Sequence, residues 1–330
     1  MLKTFLVTGG YGFIGSNFIR YVLSKDKDCQ VINLDNLSIG SSLNNLKGID
    51  RNCEFVRGDI SDPDLTKLIE RTDVIVNFAA ETHVDRSISS PSLFARTNFN
   101  GVLNLLENIR KSNNNPLFVQ IGTDEEYGST TSQEFSEDDA INPSSSYSAS
   151  KAGATLMTLA YNKTYSIKTI VTRSSNNYGM YQFPEKFIPK AIIKTILGMK
   201  IPIYGNGENI RDWIFVEDNV KAIHTILDKG QTGKIYNICS GSEISNNSLI
   251  DLVAKLMNRE VKVENVQDRP GHDIRYAMTC SRLEELGWKP YYTLEGGLKK
   301  TVEWYIQNEQ WWRPLINANI LSSEPWKLKW

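Results

Sequence analysis

The 330-residue sequence is poor in the residues that build metal sites and disulfide frameworks. It has only four cysteines, and no C-x-x-C pair occurs among Cys29, Cys53, Cys239 and Cys280. Its three histidines form no ligand-spaced cluster with those cysteines, so the pattern predicts neither a metal site nor a disulfide framework. We therefore expect reduced thiols and a cytoplasmic protein.

An excess of charge of one sign is also missing. Lys and Arg number 37 against 38 Asp and Glu, and a chain without a basic surplus is not expected to bind nucleic acid. No apolar run is long enough to cross a bilayer. The first residues lead directly into a strand-like segment, without the charged and apolar regions of a signal peptide. We expect no membrane partner.

Short β-branched runs alternate with amphipathic stretches over the first half of the chain, which is typical of a parallel sheet covered by helices. The predicted strands are 4–8, 31–35, 54–56, 74–78, 117–121 and 169–172. The predicted helices between them are 16–23, 63–70, 94–111 and 148–165. These elements indicate an α/β fold with a Rossmann-type, doubly wound parallel sheet.

The alternation loosens after residue 173 into loops rich in Asn, Gly and Pro. Helices are predicted over 187–197, 220–227, 248–257 and 294–307, and strands over 201–204, 213–216 and 235–238. Because part of this half is expected to return to the first sheet, we predict an interleaved boundary. The prediction is an NAD-binding domain over 1–175 and roughly 211–240, and a smaller, mostly C-terminal α/β substrate domain over 176–210 and 241–330.

A glycine-rich segment, Gly9-Gly10-Tyr11-Gly12-Phe13-Ile14-Gly15, follows the first predicted strand and opens the first helix. Glycines there permit a tight turn and close approach to a pyrophosphate, which the helix amides then face. Asp35 ends the second predicted strand, where a carboxylate accepts hydrogen bonds from the adenosine ribose. No Arg or Lys follows it to bind a 2′-phosphate, so we predict NAD over NADP. Asp59 and Ile60 are expected to line the adenine pocket.

Tyr147 and Lys151 are four residues apart and would share one face of a helix. A lysine ammonium at this distance favours the phenolate, so we expect a tyrosine pKa lowered toward the range of a general base. This spacing is common on amphipathic helices. Here, however, the helix follows the fifth predicted strand, at the carboxyl edge where doubly wound sheets bind ligands.

Thr123-Asp124-Glu125 lies at the same edge, just past the strand predicted over 117–121. Adjacent acids at a strand end can form a solvated turn. Alternatively, elimination of water from a sugar needs one group to take a carbon-bound proton and another to protonate the departing hydroxyl. Two carboxyls in different environments can divide those roles, and a threonine hydroxyl can hydrogen-bond a substrate oxygen.

These motifs resemble the extended short-chain dehydrogenase/reductase family, and within it the nucleotide-diphosphate-hexose 4,6-dehydratases. The similarity covers nearly the whole chain. Beyond the glycine segment, it includes Ala79-Ala80-Glu81-Thr82-His83-Val84-Asp85-Arg86-Ser87, Thr123-Asp124-Glu125, Tyr147-Ser148-Ala149-Ser150-Lys151, Asn176-Asn177-Tyr178-Gly179, Phe183-Pro184-Glu185-Lys186, Arg211-Asp212-Trp213 and Arg269-Pro270-Gly271-His272-Asp273.

The resemblance implies a complete reaction. Tyr147 would remove the C4 hydroxyl proton while the C4 hydride passes to NAD. Glu125 would then take the C5 proton as Asp124 protonates the C6 hydroxyl, and the hydride would return to C6. The product would be a 4-keto-6-deoxy sugar nucleotide, with NAD retained through turnover. Family members commonly form homodimers, here expected through the helices predicted over 94–111 and 148–165.

The resemblance also implies contacts to the ligands. Thr123 would hydrogen-bond the sugar O4. The further residues implied are Ala79 and Ala80 for the cofactor, and His83, Asn177, Lys186, Arg211, Asn246 and Arg269 for the substrate.

The sequence departs from the usual dehydratase pattern at several positions. Gly122 and Glu126 stand where serine and valine are usual, Met180 replaces proline, Asn219 replaces histidine, and the segment 36–40 reads Asn-Leu-Ser-Ile-Gly in place of the usual Lys-Leu-Thr-Tyr-Ala. These changes leave the substrate open between dTDP-glucose, the preferred candidate, and UDP-N-acetylglucosamine.

Two other activities share part of the pattern. A nucleotide-sugar 4-epimerase would use Tyr147 and Lys151 but needs no acid pair. A non-catalytic NAD-binding regulator would tolerate loss of the tyrosine or the lysine, and both are present.

Overall fold

The protein is described by a computed structural model over residues 3–49 and 51–330. Its strands are β1 (Thr4–Thr8), β2 (Gln30–Asp35), β3 (Cys53–Arg57), β4 (Val74–Asn77), β5 (Leu117–Thr123), β6 (Thr169–Ser174), β7 (Asn176–Tyr178), β8 (Ile201–Tyr204), β9 (Ile210–Phe215), β10 (Ile235–Ile238), β11 (Glu243–Ser245) and β12 (Val263–Val266).

Helices follow most of these strands. They are α1 (Phe13–Lys25), α2 (Thr66–Ile69), α3 (Val84–Ser89), α4 (Pro91–Phe94), α5 (Gly101–Lys111), α6 (Ser146–Tyr165), α7 (Phe187–Ile196), α8 (Val216–Lys229), α9 (Asn246–Met257), α10 (Ser281–Glu284), α11 (Leu294–Gln307) and α12 (Glu309–Trp312). Shorter turns are the 3-10 segments Leu43–Leu46, Asp124–Glu126, Arg313–Leu315 and Pro325–Lys327 and the π-helical segment Ala95–Asn100.

Seven parallel strands form the main sheet, in the order β10-β6-β5-β4-β1-β2-β3. The strand order reverses between β1 and β4, which both pair in parallel and both bury their hydrophobic side chains. Strands covered on both faces read as continuous apolar runs, as β4 does with all four residues buried. The predicted doubly wound parallel sheet is confirmed, and its reversal point is where such sheets bind ligands.

Hydrophobic clusters cover both faces of this sheet. On one face α1 buries Phe18 and Ile19, and α8, from much later in the chain, adds Ile223. On the other face α5 buries Leu105 and α6 buries Ala154. The helices thus hold the sheet between two apolar layers, which fixes the position of its carboxyl edge.

A second set of strands forms two small sheets beside the first. Their orders are β11-β9-β7 and β12-β8. An aromatic-rich cluster that includes Trp213, Tyr305 and Trp312 packs this region together with α7, α9 and α11. Because β9 pairs here while β10 joins the main sheet, the segment 211–240 is shared between the two regions. The two-domain division stays a prediction.

Two predicted helices differ from the observed elements. The helix expected over 63–70 is wrong, since only the single turn α2 forms. Asn108 Oδ1 accepts the Leu65 amide at 3.0 Å and Asp64 Oδ1 accepts the Thr66 amide at 3.1 Å. Side-chain oxygens therefore compete with the helical backbone for amide hydrogens near the start of the expected helix.

The helix expected over 94–111 is interrupted by the π-helical segment Ala95–Asn100. Within that segment Asn98 pairs with the backbone of Glu81, through 2.8 Å and 3.0 Å hydrogen bonds. Its amide also donates to the Ser150 hydroxyl at 2.9 Å. The interruption therefore links the helix to the loop after β4 and to α6. Among the described residues, no helix is long and apolar enough to span a bilayer.

Candidate active site

One large cavity, of about 410 Å³, follows the carboxyl edge of the main sheet and continues into the second region. Every residue predicted for the site lines it. These are Gly9, Gly12, Phe13, Ile14, Gly15, Asp35, Asp59, Ile60, Ala79, Ala80, His83, Thr123, Asp124, Glu125, Tyr147, Lys151, Asn177, Lys186, Arg211, Asn246 and Arg269.

The glycine segment forms a turn that larger residues would not permit. Gly9 has a positive φ of 68°, and a Cβ added there would lie 2.8 Å from the Ala79 backbone. A Cβ on Gly15 would lie 2.5 Å from the Gly9 carbonyl oxygen, which also accepts the Gly12 amide at 3.0 Å. The turn brings backbone and the start of α1 directly onto the cavity, and its shape fits a dinucleotide pyrophosphate.

Asp35 is fixed at the end of β2. Its two carboxylate oxygens accept the Tyr11 and Leu37 amides, each at 2.8 Å. Burial raises the pKa of Asp35, while these amides oppose the rise. Asp59 and the buried Ile60 lie beyond β3, and Asp59 accepts a 2.8 Å hydrogen bond from Asn36. This end of the cavity fits an adenosine.

Tyr147 and Lys151 lie on the first turns of α6, whose start is capped by Ser145 Oγ accepting the Ser148 amide at 3.0 Å. Both side chains are buried. Lys151 Nζ donates to the Ile121 carbonyl oxygen at 2.5 Å, and burial lowers the pKa of Lys151 to about 8.

The expectation of a lowered tyrosine pKa is wrong for this structure. Burial raises the pKa of Tyr147 well above its usual value, and the charges of Glu125 and Asp124 add to the rise. The lysine ammonium is directed at the Ile121 carbonyl, so it does not offset these effects.

The acid pair lies on the 3-10 turn that ends β5. Thr123 Oγ1 donates to Asp124 Oδ1 at 3.0 Å, while Asp124 Oδ2 is buried with no partner. Burial raises the pKa of Asp124 well above its usual range, and the charge of Glu125 adds to it. Burial also raises the pKa of Glu125, but Arg269 and Arg211 oppose that rise. The two neighbouring carboxyls therefore differ in environment, with Asp124 favoured as the protonated partner.

The two arginines of the site are held by acceptors from other segments. Arg211 donates to the Ile210 carbonyl at 2.7 Å and to the Asp273 carbonyl at 2.8 Å, and its guanidinium lies 4.1 Å from the Tyr276 ring centroid. Arg269 donates to Asp85 Oδ1 at 2.8 Å, while its buried Nε has no partner. Both guanidiniums line the cavity in fixed positions, as recognition of phosphate oxygens requires.

The other predicted substrate residues have hydrogen-bond partners for some of their polar atoms and not for others. Lys186 Nζ donates to the Thr82 carbonyl at 2.6 Å, and Asn177 Nδ2 donates to the Ser175 carbonyl at 3.0 Å. Burial lowers the pKa of His83 to about 4, so the ring is neutral near pH 7. Its Nδ1 and the Asn177 Oδ1 are buried without partners. Buried polar atoms are normally hydrogen-bonded, so these are available to a ligand.

Among the cavity residues that sequence reasoning missed are Asp85, Lys190 and Tyr204. Asp85 accepts from Tyr204 Oη at 2.7 Å as well as from Arg269. Lys190 donates to the Ser322 carbonyl at 3.2 Å, and burial lowers its pKa to about 8. Lys190 lies one helical turn after Lys186, so the spacing of the two lysines could have indicated that both face the cavity. No sequence pattern pointed to Tyr204.

Comparisons with known proteins match nearly the whole chain. The sequence model of the GDP-mannose 4,6 dehydratase family matches residues 6–301. The dTDP-glucose 4,6-dehydratase of Xanthomonas campestris is 41% identical, over 96% of this chain and 97% of that protein. The low-salt glycan biosynthesis protein Agl12 of Haloferax volcanii is 44% identical, over 92% of this chain and 99% of that protein.

Solved structures are also similar. The dTDP-glucose 4,6-dehydratase of Streptomyces venezuelae, solved with NAD bound, has a TM-score of 0.91 and 40% identity, over 95% of this chain and 100% of that one. The UDP-glucose 4-epimerase of Thermotoga maritima has a TM-score of 0.85 and 29% identity, over 93% of this chain and 99% of that one. The predicted family is confirmed: this chain belongs to the nucleotide-sugar 4,6-dehydratases.

Proposed function

We propose that this protein is an NAD-dependent dehydratase that converts dTDP-glucose to its 4-keto-6-deoxy product. The observation that carries the proposal is the placement of two neighbouring carboxyls, the buried Asp124 and the half-buried Glu125, with Tyr147 and Lys151 in the wall of one cavity. The relatives named dTDP-glucose 4,6-dehydratase match nearly the whole chain, which supports this substrate over others.

The proposed cofactor is NAD, because the cavity offers the groups that a dinucleotide needs. The glycine turn would receive the pyrophosphate, and the Asp35 carboxylate, fixed by two amides, would bind the ribose. Ala79 and Ala80 lie beside this path. When bound, NAD would take the C4 hydride and later return it to C6.

Tyr147 is the proposed base for the C4 hydroxyl proton. Its pKa is raised in the free chain by burial and by two carboxylates. Protonation of Asp124, which its burial favours, removes one of those charges. With ligands bound, Lys151 would turn its ammonium from the Ile121 carbonyl toward the phenolate and favour that form.

The elimination step is assigned to the acid pair. Glu125 would remove the C5 proton, because Arg269 and Arg211 favour its charged form against burial. Asp124, held protonated, would supply the proton to the leaving C6 hydroxyl. Thr123 donates to Asp124 in the free chain, and its hydroxyl is proposed to hydrogen-bond the sugar O4 during turnover.

The diphosphate and sugar are proposed to be held by the remaining polar side chains of the cavity. Arg211 and Arg269 offer guanidinium forks that suit phosphate oxygens. Lys186 adds a second type of cation. His83, Asn177 and Asn246 complete the proposed substrate set.

An epimerase is the alternative that the fold alone permits, since epimerases are among the similar structures. Epimerisation at C4 needs a base and the cofactor but no acid–base pair at C5 and C6. The acid pair Asp124 and Glu125, on the turn that ends β5, favours dehydration instead.

Mass spectrometry of the product tests the proposal. Incubation with dTDP-glucose should give a product lighter by one water. Parallel incubation with UDP-N-acetylglucosamine tests the alternative dehydratase substrate. A product of unchanged mass but altered C4 configuration would indicate an epimerase, and no conversion of either compound would favour a non-catalytic NAD-binding regulator.

We also propose a cytoplasmic homodimer that pairs through α5 and α6. The four free cysteines support a reducing compartment. Leu156 and Tyr165 of α6 are 55% and 50% exposed, which supports an apolar contact surface on that helix. Light scattering that gives the mass of a single chain would contradict the dimer.

A further inference from the structure

Glu126 is a buried carboxylate one residue beyond the acid pair. Its side chain is 0% exposed, and Oε2 lies 2.9 Å from Nε of Arg173, which is 3% exposed. Arg173 lies on β6, directly opposite Gly122 of β5. An ion pair is thus buried between two strands of the main sheet, directly behind the turn that faces the cavity.

The same carboxylate also closes the acid-bearing turn. Its other oxygen, Oε1, accepts the Thr123 amide at 3.2 Å, and Thr123 Oγ1 accepts the Glu125 amide at 3.3 Å. This reciprocal arrangement is a capping box, which fixes the start of a turn by satisfying its free amides. At the far end, the Glu126 carbonyl accepts the Asn142 amide at 3.1 Å.

The end of β5, which leads into this turn, leaves room for the Glu126 side chain. A Cβ added to Gly122 would lie 2.6 Å from Glu126 Oε1 and 2.6 Å from the Thr172 carbonyl oxygen. The glycine therefore leaves the space that the carboxylate occupies. Gly122 and Glu126 are two of the positions where the sequence departs from the usual dehydratase pattern, and the structure brings them into contact.

Arg173 is itself fixed from its other side. Its guanidinium lies 4.4 Å from the Tyr127 ring centroid. The Tyr127 hydroxyl donates to Asn237 Oδ1 at 2.9 Å, and its ring stacks on Phe135. The Arg173 side of the Glu126 carboxylate is thus held by groups that do not line the cavity.

We propose that Glu126, anchored by Arg173, is a positioning residue that sets the geometry of Asp124 and Glu125 for water elimination without touching the substrate. The inference rests on the proposed dehydration. A misplacement of about 1 Å in a reacting group can slow a step by about 100-fold, so a looser turn would act on elimination specifically. Oxidation at C4 would be slowed less, because Tyr147 and Lys151 lie on α6 and not on the acid-bearing turn.

The test compares three variants of the full-length enzyme carrying NAD with the wild type. Glu126→Val removes both contacts. Glu126→Gln keeps one of them, because the Thr123 amide and Arg173 Nε face different carboxylate oxygens and the substitution turns one of those oxygens into a donor NH2 group. The matched control is Glu137→Gln, which alters another buried glutamate that accepts a backbone amide, that of Asn237, at 3.1 Å.

Two rates are measured in single turnovers with dTDP-glucose: appearance of reduced cofactor, which reports C4 oxidation, and formation of product lighter by one water. We expect Glu126→Val to slow water loss about 10- to 100-fold, with a clearly smaller effect on C4 oxidation. Glu126→Gln should give an intermediate loss, and Glu137→Gln should leave the ratio of the two rates at the wild-type value.

A purely structural role would lower the folded fraction and thus reduce both rates together. Unchanged ratios in the Glu126 variants would overturn the positioning role, and Glu126→Gln decides the matter if Glu126→Val does not fold. Failure of the wild-type enzyme itself to release water would instead reject the proposed function.

Discussion

Replacing Lys151 with methionine should change how the stability of the nucleotide-free protein depends on alkaline pH. Burial lowers the pKa of Lys151 from 10.5 to about 8. A tenfold change in an acid constant corresponds to about 1.4 kcal/mol, so at pH 7 the folded state loses about 3 kcal/mol by holding this ammonium.

The sign follows from proton uptake on unfolding. Between pH 8 and pH 10.5 the unfolded chain binds the lysine proton more tightly than the folded chain does, so stability rises with pH. From pH 7 to pH 9.5 the cost falls by about 2 kcal/mol. Wild-type protein should therefore gain about 2 kcal/mol relative to Lys151→Met over that interval.

The assay is urea unfolding of both proteins at the two pH values. Loss of the hydrogen bond to the Ile121 carbonyl shifts the variant by the same amount at both, so it cancels from the comparison. Lys299→Met, which removes an exposed lysine, is the control for the substitution itself. An equal stability difference between wild type and Lys151→Met at pH 7 and pH 9.5 would refute the reasoning.

Three further predictions concern other parts of the cavity. Glu125→Gln should still reduce the cofactor but slow C5 hydrogen exchange with deuterated water by about 100- to 10,000-fold, and normal exchange would assign the base elsewhere. His83→Gln should remove a pH dependence: burial lowers the pKa of His83 from 6.5 to about 4, so wild-type stability should fall by about 2 kcal/mol between pH 7 and pH 5 relative to the variant in denaturant titrations. Gly15→Ala should reduce the NAD released per chain on denaturation, because the new Cβ would lie 2.5 Å from the Gly9 carbonyl oxygen; a full complement of NAD would contradict the proposed cradle.

The cavity residues that the sequence did predict were accessible because their positions follow from local pattern. A glycine turn after β1, an acid pair after β5 and a tyrosine at the start of α6 all lie at the carboxyl edge of a parallel sheet, and that edge is fixed by topology. The structure brings these segments together although they are far apart in the sequence.

Features that depend on contacts between distant segments were not predictable. The helix expected over 63–70 is shortened where Asn108, 43 residues away, takes the Leu65 amide. The raised pKa of Tyr147 comes from burial and from the carboxylates of a different strand end. The partner of Glu126 is Arg173, 47 residues later. The unusual glutamate in the motif therefore did not indicate which residue it would pair with.

The path of the chain between its sheets limits where segments can be exchanged with those of a relative. The chain leaves the main sheet after β6, forms β9 in a small sheet, returns to supply β10, and leaves again for β11. A chimera that takes the region around α7, α9 and α11 from a relative with another substrate would need several matched junctions. With a single junction after β6, β10 would also come from the relative, although it pairs in the main sheet of this protein. Substrate preference in this architecture is therefore more readily altered by point substitutions within the cavity than by exchange of a module.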